Sequence, residues 1–147
     1  MADTVGVKYI YPPDWDGFYD NERNGHRRIV AELHGISDGT GESAVKKLVL
    51  GDFRRSDGQF ASGFSIEKIQ YSIQGNHEAD ATAPAYIELF FDSTPDEHIA
   101  ILQGSDTIEY VGGRNMQAET GTGDILLTST NMTASDTYSI IITARLK

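Results

Sequence analysis

The sequence predicts an all-β protein, an antiparallel sandwich or barrel of about nine strands. Three observations lead there. Apolar and polar residues alternate with period two in segment after segment. These segments are short and are separated by turns rich in Gly, Asp, Ser and Pro. Helix signals are scarce: the one rival, Glu42 to Val49, is too short and too rich in valine.

The first strand is VGVKYIY, Val5 to Tyr11, stopped by Pro12 and Pro13. A long aromatic loop, residues 12–25, follows as PPDWDGFYDNERNG. RRIVAELHGI then sets Ile29, Ala31 and Leu33 on one face and Arg28, Val30, Glu32 and His34 on the other. SDGTGES is a turn, and AVKKLVL, Ala44 to Leu50, is the third strand. A second long loop, GDFRRSDGQFASG, leads into FSIEKIQYSIQ. There Ile69, Tyr71 and Ile73 share a face, while Phe64 and Ile66 have the opposite parity, which predicts a bulge near Glu67. After the polar loop GNHEADATAP, AYIELFF alternates Ile87, Leu89 and Phe91 against Tyr86, Glu88 and Phe90. DSTPDE turns the chain, and HIAILQ and TIEYV are expected to form a hairpin across GSD. GGRNMQAETGTG is a glycine-bracketed loop before the last two strands, DILLTST and TYSIIITARL.

The last strand is the most apolar. Tyr138, Ile140, Ile142, Ala144 and Leu146 face one way. Such a strand left at an edge would promote aggregation, so it is expected inside a sheet with Ile140 and Ile142 in the core. Ile141, on the opposite face, implies that this face is partly covered too.

A chain of 147 residues points to one domain, residues 1–147, with enough core to need no metal or disulfide. Cysteine is absent, which excludes thiolate catalysis and cysteine-based zinc sites. Twelve Lys and Arg stand against 22 Asp and Glu, a net charge of −10. That balance opposes general binding to nucleic acid. The basic doublets Arg27-Arg28, Lys46-Lys47 and Arg54-Arg55 have acidic neighbours and read as solvated turns or strand edges. The first residues show no basic segment leading into an apolar one, so no signal peptide is expected. No apolar run is long enough to cross a membrane as a helix.

No reaction is written in the motifs. His26, His34, His77 and His98 make no H-x-H, H-x-x-x-H or H-E-x-x-H spacing, so no metal or cofactor is expected. The acidic run Asp14, Asp16, Asp20 and Glu22 lacks the glycine and glutamate that an EF-hand loop requires. No G-x-S-x-G elbow occurs, and GTGD and DGTGES lack a phosphate-loop lysine. No catalytic residue is assigned. The aromatic loops stand out instead. Trp15, Phe18 and Tyr19 lie in the first, and Phe53, Arg54, Arg55 and Phe60 in the second. Either loop folds back to cap the core or presents its aromatics to a partner.

From Phe64 to Lys147 the chain resembles capsid decoration, or cement, proteins of tailed bacteriophages. The resemblance rests on FSIEKIQYSIQG, YIELFFDST, GGRNMQAETGTGDILLTST and DTYSIIITARLK; the first 63 residues do not share it. It implies a β-sandwich or jelly-roll-like subunit without a catalytic residue, on the outside of a capsid. The expected partners are the major capsid protein and further copies of the chain, as a dimer or trimer, with the seven loop residues above as contacts. A tail-associated virion protein is a related expectation. The alternative is a carbohydrate-binding module, with Trp15, Tyr19 and Tyr86 as its platform.

Overall fold

A computed structural model describes residues 4–11, 28–53, 61–75 and 84–147. Its strands are β1 (Thr4–Tyr11), β2 (Arg28–Ile36), β3 (Val45–Leu48), β4 (Phe64–Gln74), β5 (Tyr86–Phe91), β6 (Glu97–Leu102), β7 (Ser105–Arg114), β8 (Ile125–Thr130) and β9 (Thr137–Leu146). All pairings are antiparallel. They make a five-stranded sheet in the order β1-β2-β9-β4-β7 and a four-stranded sheet in the order β3-β8-β5-β6. The only helical element among the described residues is a 3₁₀ turn, Leu50–Asp52.

One rule generates the topology. β5 pairs with β6, β4 with β7, β3 with β8, and β2 with β9. Eight strands thus form one long hairpin with its tip at the β5–β6 turn. Successive pairs fall alternately in the two sheets, so the hairpin is rolled up: the fold is a jelly roll. The β5–β8 and β4–β9 pairings join successive windings. β1 lies outside this scheme and adds to the free edge of β2.

β9 fills the slot between β2 and β4 and pairs with both along its length. Its alternation follows from that position. Tyr138, Ile140, Ile142, Ala144 and Leu146 are buried on the inner face, while Ser139, Ile141 and Thr143 are half-buried on the outer one. The inner faces of β2 (Ile29, Ala31, Leu33), β5 (Ile87, Leu89, Phe91) and β4 (Phe64, Ile66, Ile69, Ile73) complete the core with Leu48, Leu102, Ile125 and Leu127. The register of β4 slips between Ile66 and Lys68, which is the expected bulge and reconciles its two parities.

Two expectations need correction. β6 and β7 do not form a hairpin; β6 pairs with β5 and β7 with β4, in different sheets. Only Gln103 and Gly104 separate them, and the chain crosses there from one sheet to the other. Gly104 supports the crossing with a left-handed φ of 73°. Its carbonyl accepts the Ile73 N–H at 2.7 Å, which ties the crossing to β4. Periodicity tells which face of a strand is buried, not which strand lies beside it. The third strand is also shorter than Ala44–Leu50: Ala44 has φ 49°, and Leu50 opens the 3₁₀ turn.

Antiparallel order sorts the connections between two ends. β1–β2, β3–β4, β5–β6 and β7–β8 join at one end, where β9 also finishes; β2–β3, β4–β5, β6–β7 and β8–β9 join at the other. Hydrogen bonds agree with the sorting. At the first end Asp92 N–H donates to Asp124 O (2.8 Å) and Ser62 N–H to Lys147 O (2.6 Å). At the second, Ser37 N–H donates to Asp136 O (2.7 Å).

Candidate functional site

The first end is the site the sequence points to, because both aromatic loops depart from it. Of the seven contact candidates, Phe53 alone lies within the described residues; Trp15, Phe18, Tyr19, Arg54, Arg55 and Phe60 lie outside them. Phe53 follows the 3₁₀ turn and is 1% exposed. Its ring packs edge-on against Tyr9 (5.9 Å between centroids) and Phe64 (5.6 Å). Phe53 therefore caps the core and offers a partner no surface. Ala61 N–H donates to Phe53 O at 3.2 Å, so the two flanks of segment 54–60 meet at one spot.

Polar stitches shape the rim of this end. Asp124, nearly fully buried, accepts the Leu50 N–H at 2.8 Å and lies 3.0 Å from Lys46 Nζ. Lys46 also lies 3.6 Å from Asp92, which accepts the Thr122 hydroxyl at 2.8 Å. Burial alone would raise the Asp124 carboxyl. The Leu50 N–H and the Lys46 and Thr122 side chains outweigh it and hold the group below the usual carboxylate range. Lys46 is shifted up, chiefly by its hydrogen bond with Asp124. Gly121 is required here: at φ 133°, a Cβ on it would sit 2.2 Å from the Asp92 carbonyl oxygen. The TGDI and FFDST segments behind the resemblance are thus joined by direct bonds.

A second stitch lies beside it. Glu97 accepts the N–H groups of Gln117 (2.9 Å) and Ala118 (2.8 Å) and pairs with Arg114 Nη1 at 3.0 Å. The Gln117 bond is the largest of the influences that hold the Glu97 carboxyl below its ordinary value. Arg114 also donates to His98 O (2.9 Å) and lies over the Phe91 ring (5.6 Å). These bonds pin the long β7–β8 connection to the start of β6.

The basic doublets part company in the structure. Arg28 makes a two-pronged bond to Glu67 at the β4 bulge (2.7 and 3.1 Å), on the surface. Lys46 lies at the rim, but Lys47 is buried, against its expectation as a solvated residue. Its Nζ is 2.5 Å from Glu42 Oε2, and Tyr138 Oη donates to Glu42 Oε1 at 2.5 Å. Lys47 and Leu48 are both buried because the β3–β8 register shifts between Lys46 and Leu48, and this bulge turns Lys47 inward beside Leu48. Gly35 makes room for the triad, since a Cβ there would lie 2.5 Å from the Tyr138 ring.

The outer faces carry weaker features. On the five-stranded sheet a shallow depression of about 430 Å³ is lined by Gln70, Ser72, Ser105, Thr107, Ser139 and Ile141, among others. His34 is exposed on that face, above Gly6. On the four-stranded sheet His98 pairs with Glu88 at 2.8 Å, and Tyr86 is half-buried. Among the described residues no three His, Asp or Glu groups gather as a metal site. The acidic run from Asp14 to Glu22, His26 and His77 lie outside the described residues. Comparison of the chain with protein-family models, curated proteins and solved structures returns no match.

Proposed function

We propose that the chain is a structural protein of a bacteriophage virion that binds the outside of the major capsid shell and stabilises it. The observation that carries this reading is the common origin of the two aromatic loops. Segments 12–27 and 54–60 start and finish at one end of the sandwich, beside Tyr9, Phe53 and Lys147. Trp15, Phe18, Tyr19 and Phe60, of residue types favoured at interface centres, belong to the two segments whose described flanks share this end. The jelly roll adds support by analogy, since virus capsid domains use it. A partner that binds only the assembled shell stabilises it by mass action, and several copies around a symmetry axis add avidity. The acidic balance of the chain suits a shell surface rich in Lys or Arg.

Co-sedimentation of purified protein with undecorated capsids tests the reading. With Trp15 as an interface anchor, Trp15→Ala leaves the melting temperature almost unchanged and weakens shell binding about thirtyfold, or about 2 kcal/mol. Association slows as salt rises. Absence of binding by the wild-type protein to its own shell would refute the function. Full binding by a stable Trp15→Ala would refute only the role of the first loop.

A further inference from the structure

We infer that β1 is an exchangeable strand, which pairs with the β2 edge of a second copy of this chain when copies are crowded together. The inference is independent of the capsid reading and rests on four features of β1.

First, the roll is complete without it. Strands β2 to β9 account for all four hairpin pairings, and among the described strands β1 pairs with β2 alone. Second, the contacts described for β1 are of a kind that another copy supplies identically. The register runs from Thr4 opposite Ile36 to Tyr11 opposite Val30, Val7 and Tyr9 pack against the core, and the Tyr9 ring meets Phe53. Exchange recreates each of these contacts in a neighbour, which makes it a low-cost route to dimers. Third, β1 is lightly held: Val5 and Ile10 stay 40% and 44% exposed.

Fourth, the connection is far longer than its own pairing requires. Tyr11 and Val30 are opposite each other, a gap that hairpins of this type close with about two to five residues. Residues 12–27 lie between the strands instead. Fully extended, these sixteen residues reach at most about 55 Å. A compact domain of this size has a radius of gyration of about 15 Å, so the reach exceeds its diameter. β1 can therefore occupy the β2 edge of an adjacent molecule. For a connection sixteen residues long, self-pairing corresponds to an effective concentration of order mM, so exchange is expected near mM concentrations and not in dilute solution.

The absence of cysteine permits a clean test. Lys8 and Glu32 are register partners on β1 and β2. K8C and E32C chains are mixed, refolded together at about 10 µM and about 1 mM, oxidised, and run on non-reducing gels. The K8C/E32C double variant, kept dilute, is the geometric control. Wild-type protein is measured in parallel by sedimentation equilibrium. Exchange predicts a K8C–E32C covalent heterodimer that increases at least about tenfold between the two concentrations, with a matching rise in wild-type dimer. A wild-type protein that stays monomeric at about 1 mM overturns the inference by itself. So does a dimer that forms without the K8C–E32C bond while the control closes within one chain, because another surface then holds it.

Discussion

Three consecutive isoleucines at the centre of β9 give the sharpest test of register. Ile140 and Ile142 are fully buried, while Ile141 between them is half-buried on the outer face. Ile142 lies between Ala31 of β2 and Ile69 of β4, both without exposed surface. Ile142→Ala removes three carbons from a close-packed layer with no solvent to refill it. The expected loss is about 3–4 kcal/mol, within the range of about 2–5 for such cavities. A domain of this length unfolds with an entropy of roughly 0.3 kcal/mol/K, so the melting temperature falls by about 10 °C. Ile141→Ala removes the same atoms from a face that already meets water, and costs about 1 kcal/mol or less, roughly 3 °C. Calorimetry and urea titration on the two variants give the comparison. A slip of one residue in either β9 pairing turns every side chain over. Equal losses in the two variants, or a larger loss for Ile141→Ala, would refute the register and the placing of β9 between β2 and β4.

Other expectations concern charge. The carboxyls of Asp124, Glu97 and Glu67 are all held below their ordinary values. A group lowered by folding adds stability above its unfolded value, about 4, and loses it as pH falls through its folded value. The melting temperature should therefore be level at neutral pH and fall below about pH 4–5. Asp124→Asn should lower the melting temperature at pH 7 and flatten that acid limb; a wild-type melting temperature constant down to pH 3 would contradict the network. For the buried triad, Lys47→Met strands the Glu42 carboxylate and should cost about 3–5 kcal/mol. Adding Glu42→Gln should restore part of the loss, and a purely additive double variant would show that the pair is not coupled.

The sequence was most legible where one physical rule acts alone. Alternation in β2, β5 and β9 identified the inner residues, and the conflict between Ile66 and Ile69 located the bulge. Partner choice is not legible, since a crossing between sheets and a hairpin turn use similar residues, as between β6 and β7. The burial of Lys47 has no sign in AVKKLVL, because a bulge rather than alternation turns it inward and its partner Glu42 lies outside the strand. The Asp124 and Glu97 stitches had no local sign, because both bind backbone N–H groups of remote loops. The choice between core cap and contact arm is settled only for Phe53, by its burial.

The place of β9 also governs how the molecule is made. Leu33 and Ile140 are neighbours in the sheet but about 107 positions apart along the chain, and such non-local pairing slows folding to the ms–s range. A ribosome adding about 5–20 residues per second needs roughly 5–21 s to travel from Leu33 to Ile140. Throughout that interval β2 and β4 lack the strand that joins them, and the apolar inner faces of a half-built roll have no lid. A nascent chain in this state is a template for the β9 of any neighbour, so the yield of native protein should depend on holdase chaperones and on growth temperature more than the final stability implies.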